Sequence, residues 1–195
     1  MSPAGLPEPL EVAVSFTQVL DDLGVPYFIG GSLASSVHGE PRTTNDIDIV
    51  AALRPEHVEP LIAAVRTQYY VSADAARDAI RSQGSFNLIH LHKAVKVDLF
   101  VAGTDPLNVE GLRIRRRTRV WADPEAWLFI DTPEHSILRK LEWYRRGGEV
   151  SDRQWRDVLS VMRVQGDRLD QDAMSAWAIR LNVTDLLERA RAEVA

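Results

Sequence analysis

Apolar residues recur at helical spacing from residue 9 to 23. Leu10, Val14, Thr17 and Leu20 share one face, which Phe16, Val19 and Leu23 broaden. Gly24 ends that pattern, and Val25–Ile29 follows as a short apolar strand broken by Gly30-Gly31. Ser32 is placed to cap a short helix over Leu33–Val37, and His38–Thr44 reads as a loop. Asn45–Ala51 alternates as a strand, and Pro55–Gln68 reads as a helix with proline in its first turn. Tyr69–Val71 predicts a short strand and Ala73–Arg81 a weak helix. Ser85–Leu91 and Ala94–Val101 alternate like paired strands. Leu112–Ile114 and Thr118–Trp121 are read as further strands.

The character changes after Ile130. Thr132-Pro133 has the form of an N-cap followed by proline at the first helical position. The helix Ser136–Arg146 follows, with Ile137, Leu138, Leu141 and Tyr144 at helical spacing, and Gly147-Gly148 breaks it. Further helices are predicted over Asp152–Gln165, Gln171–Leu181 and Thr184–Val194. The expected architecture is an α+β half over residues 1–130 followed by a helical half over 131–195.

Two strands carry charge where alternation makes it informative. Side chains alternate faces along a strand, so Asp46 and Asp48 point one way while Ile47 and Ile49 point into a core. In Val95–Phe100, Val95, Val97 and Leu99 share one face, and Lys96, Asp98 and Phe100 the other. Like charges held that close are costly without a cation between them. Three carboxylates on neighbouring strands suit two magnesium ions, which take oxygen ligands at roughly 2.0–2.1 Å. A glycine turn before a helix, as at Gly30-Gly31-Ser32, can present backbone N–H groups to phosphate.

Composition narrows the setting. The chain of 195 residues is long enough for one full core plus a helical annex. It has no cysteine, which excludes disulfides and thiolate metal sites and fits a reducing, cytoplasmic setting. Met1–Pro9 lacks the basic and apolar blocks of a signal peptide, and no apolar run is long enough for a membrane span. A formal net charge of −5 argues against a protein that coats nucleic acid. The basic residues are clustered, however, at Arg113, Arg115, Arg116, Arg117 and Arg119, and at Arg139, Lys140, Arg145 and Arg146. Such clusters either grip phosphate or blunt a strand edge.

Gly30-Gly31-Ser32, Arg42, Thr44, Asp46, Asp48 and Asp98 together resemble the signature of the nucleotidyltransferase superfamily, the polymerase-beta-like fold. The resemblance covers residues 25–100 well and 133–160 in part, and it implies a core of a small mixed β-sheet flanked by helices. Within the superfamily the chain most resembles the AbiEii-type branch, whose members include toxins of toxin–antitoxin systems. Lys140, Arg145 or Arg146, Asp152 and Asp157 match that branch's helical segment. The chain departs from the branch at Ser151, where a basic residue is usual, and in the longer gap made by Gly147-Gly148-Glu149-Val150. The roles of Asp152 and Asp157 are therefore left open.

The resemblance implies a magnesium-dependent transfer of an NMP from an NTP to a hydroxyl, with release of pyrophosphate. Gly30, Gly31 and Ser32 would hold the β- and γ-phosphates, with Arg42, Thr44, Arg146 and Asp152 as further nucleotide contacts. Asp46, Asp48 and Asp98 would ligate the metals, Asp98 beside the attacking hydroxyl. Lys140 would neutralise triphosphate charge. The acceptor stays open among an RNA or tRNA 3′ end, a protein and a small molecule; the arginine run inclines it to RNA. An antitoxin partner is a further implication. The alternative is a non-catalytic nucleotide- or RNA-binding module. His90 and His92 read as exposed strand residues, His38 as a loop residue, Glu142 and Glu149 as solvated helix-end charges, and the five tryptophans as packing.

Overall fold

The computed structural model describes residues 5–194. The stretch Met1–Pro9, expected to carry no leader, lies outside the described residues over positions 1–4. The chain forms two units, one running to Gly30 and resuming over Thr44–Asp131, the other built from Gly31–Thr43 and everything after Thr132. Among the described residues no helix is long and apolar enough to cross a membrane.

Among the described residues the first unit holds a mixed sheet of seven strands. They are β1 (Tyr27–Ile29), β2 (Asp46–Ala51), β3 (Tyr69–Tyr70), β4 (Ser85–His90), β5 (Lys96–Val101), β6 (Arg116–Ala122) and β7 (Glu125–Ile130), in the spatial order β3-β4-β5-β2-β1-β7-β6. β2 runs parallel to β5 and β7 parallel to β1; the other neighbours are antiparallel. Among its described residues this unit also holds the helices α1 (Glu8–Asp22), α3 (Val58–Val65), α4 (Ala73–Ser82) and α5 (Pro106–Ile114).

The strand pattern fixes the register. Ile47, Ile49, Val97 and Leu99 are fully buried, while Asp46 is exposed and Asp48, Lys96 and Asp98 are half-buried on the opposite face. Burying each of these apolar side chains contributes about 1.5–3 kcal/mol. A slip of one residue would exchange the two faces and drive the carboxylates into the core. The expected mixed α+β sheet is therefore what the chain builds.

Two elements differ from the sequence reading. Leu112–Ile114 is the end of a helix, not a strand. The Asp105 side chain caps that helix by accepting from the Asn108 N–H at 2.8 Å, with Pro106 as its first residue. β7 was not predicted; it inserts Ala126, Leu128 and Ile130 into the core and pairs with β1 at Ile29 and Ile130. The arginine run is thereby divided. Arg113 lies in the last turn of α5 and pairs with Glu110, while Arg116, Arg117 and Arg119 lie on β6, an edge strand.

The second unit contains α2 (Gly31–His38), α6 (Pro133–Arg146), α7 (Asp152–Gln165), α8 (Gln171–Leu181) and α9 (Thr184–Val194). Thr132, Ser151 and Asp170 cap α6, α7 and α8 through their side chains. Ile137, Leu141, Val158, Met162, Met174 and Leu187 are among the buried residues of its core. The helix of the glycine turn belongs to this helical unit. Gln165 donates to the His38 carbonyl at 2.5 Å, and the Glu40 N–H donates to Ser160 Oγ at 2.7 Å. Gly39 permits the contact: a Cβ there would lie 2.6 Å from Ser160 Oγ and 3.0 Å from both the Ser35 carbonyl and the Val161 nitrogen.

Candidate active site

The residues singled out from the sequence fall into two groups, one in each unit. In the first, β2 and β5 are in parallel register with Asp46 opposite Lys96 and Asp48 opposite Asp98. Neighbouring strands lie about 4.7–4.9 Å apart, so these four side chains form two adjacent rungs on one face. Thr44 anchors the start of β2: its Oγ1 donates to the Asp46 carbonyl at 3.1 Å and accepts from the Asp46 N–H at 3.3 Å. The Gly30 N–H donates to the Asp48 carbonyl at 2.9 Å, which extends the pairing of β1 with β2 past Ile29.

Lys96 brings a positive charge to this face. Its Nζ lies 2.8 Å from Asp98 Oδ2 and 3.6 Å from Asp46 Oδ1. The hydrogen bond to Asp98 outweighs partial burial. With the charges of Asp98, Asp46 and Asp48, it holds the ammonium above its ordinary pKa. Among the described residues no three carboxylates or imidazoles are gathered closely enough to hold a metal as they stand. The donor chemistry nevertheless suits a hard divalent cation. Three carboxylates share one face, two of them in register, and a cationic group is already drawn to them.

The second group centres on Asp157. Arg42 donates to it through Nε at 2.8 Å and Nη2 at 2.7 Å, and Lys140 Nζ donates at 2.8 Å. Arg42 Nη2 also donates to Ser32 Oγ at 2.6 Å, which fixes that hydroxyl. Asp157 and Lys140 are buried, and Arg42 is half-buried. Burial alone would raise the Asp157 carboxyl pKa. The hydrogen bond from Arg42 and the charge and hydrogen bond of Lys140 overcome it and hold the carboxyl below the usual range. The bond to Asp157 likewise raises Arg42, against the effect of its own burial. Two cations on one carboxylate leave this cluster with one net positive charge.

Ser32 is not an N-cap, since α2 begins at Gly31 and the serine sits inside the first turn. Gly31 has φ +55°, a left-handed conformation that glycine adopts without the Cβ penalty. Lys140 is not a free cation, because it is held by Asp157. Arg146 pairs with Glu142 at 2.5 Å and stacks on Trp143. Arg145 pairs with Asp185 and Glu149, so Glu142 and Glu149 are ion-pair partners of arginines. Asp152 is exposed in the first turn of α7. His90 packs edge-on against Tyr69 and His92 is exposed.

Sequence reasoning passed over Lys96 as an ion-pair partner, although its spacing of two from Asp98 puts both on one strand face. It also left Asp157 without a role. The available signal was an ionisable residue on the buried face of α7, beside Val158 and Val161.

The fold is that of nucleotidyltransferases of known structure. An antigenic nucleotidyltransferase-like protein from Paracoccidioides brasiliensis superposes with a TM-score of 0.56 at 18% identity, covering 94% of this chain and 92% of its own. ANT(2'')-Ia, solved in complex with adenylyl-2''-tobramycin, gives 0.52 at 14% identity, with 85% of this chain and 94% of its own covered. The lincosamide antibiotic adenylyltransferase LnuA, solved with lincomycin, gives 0.51 at 14% identity over 77% and 94%. No family model matches the sequence, and no curated protein sequence does.

Proposed function

We propose that the protein is a nucleotidyltransferase that moves an NMP from an NTP to a hydroxyl acceptor. The observation that carries this reading is the rung of Asp48 against Asp98 beside Asp46, on one face of a sheet of nucleotidyltransferase fold. The acceptor oxygen attacks the α-phosphorus, the bond from that phosphorus to the bridging oxygen breaks, and pyrophosphate leaves. Asp98 takes the proton of the attacking hydroxyl.

The residue roles follow the sequence resemblance. In the sheet, Asp46, Asp48 and Asp98 would hold magnesium. Bound there, magnesium would offset triphosphate charge and lower the pKa of the attacking hydroxyl. In the helical unit, Ser32 and the Gly31 N–H receive the β- and γ-phosphates at the start of α2, where the helix dipole favours an anion. Arg42 aims the Ser32 hydroxyl, and the net charge of the cluster of Arg42, Lys140 and Asp157 attracts phosphate. Thr44 sets the strand that carries Asp46. Arg146 and Asp152 lie outside both clusters and are assigned no part.

ANT(2'')-Ia and LnuA, by their names and bound molecules, act on small antibiotics. A small polyhydroxyl acceptor is therefore proposed here beside RNA and protein, in a cytoplasmic setting. A toxin role with an antitoxin partner remains a proposal carried by the sequence resemblance alone. The test is incubation of the purified chain with NTPs labelled at the α-phosphate, magnesium, and aminoglycoside, lincosamide, RNA and protein acceptors. Label transfer with matching pyrophosphate supports the reading, and its absence across all acceptors refutes it. The place of Lys96 among the carboxylates favours one second reading, a non-catalytic nucleotide-binding module. Calorimetric NTP binding without turnover would select that reading.

A further inference from the structure

The geometry points to Lys96 as a built-in counter-cation that holds the carboxylate face together and leaves it when a divalent ion enters. The inference rests on the reading of Asp46, Asp48 and Asp98 as metal ligands. Three negative charges and one positive charge share two adjacent rungs of parallel strands, a face that the buried Ile47, Ile49, Val97 and Leu99 prevent from turning over. Without the ammonium Asp46 and Asp98 would lose this ion-pair partner on a face where like charges repel. With it, Asp98 is bonded at 2.8 Å and Asp46 approached at 3.6 Å by the same nitrogen.

An ion bridging those carboxylates takes over the charge that Lys96 supplies, and a second cation beside it is repelled. Lys96 can yield. Its side chain is 39% exposed and ends a flexible four-carbon stem, so the ammonium can swing into water at small cost. An arginine fork would bind its carboxylate through two parallel bonds and release it less readily. The lysine thus keeps the face stable without metal and makes metal loading a competition rather than a simple capture.

The test compares the wild-type chain with Lys96→Gln and Lys96→Arg by two readouts independent of turnover: thermal unfolding without metal, and Mn2+ binding followed by electron paramagnetic resonance of the free ion. Lys96→Gln is expected to unfold at lower temperature without metal and to bind Mn2+ about tenfold more tightly, the effect of removing one nearby like charge in a largely solvated setting. Lys96→Arg is expected to bind Mn2+ no more tightly than wild type. Equal or weaker Mn2+ binding by Lys96→Gln overturns the inference and leaves the metal reading standing. Tightening by Lys96→Arg to the same degree also overturns it, because charge would not be the cause. Failure of both wild type and Lys96→Gln to bind Mn2+ removes the metal reading itself, and this inference with it.

Discussion

Replacing Asp157 by asparagine tests the charge economy of the helical unit. The carboxylate accepts three hydrogen bonds, two from Arg42 and one from Lys140. Asp157 is 7% exposed and Lys140 8%, so little water can replace the lost charge. Breaking a buried pair by removing one partner costs about 3–5 kcal/mol. Arg42 retains some solvent and the asparagine oxygen still accepts one bond, so the lower end, about 3 kcal/mol, is expected. For a chain of this size that corresponds to a fall in melting temperature of about 6–12 °C. The pH dependence gives a second check. The native Asp157 carboxyl lies below its unfolded value, so its stabilisation is fully present above about pH 4 and is lost as pH falls through the native value. Circular dichroism melts of both proteins from neutral pH downward measure both effects. The gap between them should narrow in acid. A gap under about 1 kcal/mol at pH 7, or one that persists unchanged into acid, refutes the assignment of Asp157 as the charge hub.

Gly39→Ala forces a Cβ to 2.6 Å from Ser160 Oγ and to 3.0 Å from two backbone atoms, and should lower stability by about 1–3 kcal/mol in urea unfolding. Ser32→Ala removes the hydroxyl that Arg42 holds at 2.6 Å; NTP affinity by calorimetry should fall about five- to tenfold, with the melting temperature nearly unchanged. Asp98→Asn should abolish transfer while nucleotide binding persists, measured as pyrophosphate release against calorimetric affinity.

What the sequence made legible was local. Alternation in Asp46–Val50 and Val95–Phe100 gave both strands and the faces of their carboxylates, because the buried isoleucines and valines leave one register open. Thr132-Pro133 marked the start of α6 because cap and proline act on the same turn. What it hid was long-range. β7 meets β1 at a single register pair, Ile130 with Ile29, residues about a hundred positions apart, with no local sign of parallel partnership. Arg42 and Asp157 are likewise far apart in the sequence, so Lys140 read as a free phosphate-binding cation when it is already paired. Leu112 and Ile114 alternate as a strand would, although Asp105 and Pro106 open the helix that contains them. Packing rather than propensity placed α2 in the helical unit, through the close approach at Gly39.

The most direct measurement is pyrophosphate release, alongside label transfer from α-labelled NTPs, by the wild-type chain and by Asp48→Asn in magnesium. Asp48 sits in register with Asp98, and its neighbours on β2 keep the strand in place whichever residue stands there. The account expects stoichiometric transfer and pyrophosphate from the wild type, and a loss of about a hundredfold or more in a correctly folded Asp48→Asn. Undiminished release by that variant, or none from the wild type with any nucleotide and acceptor, contradicts it.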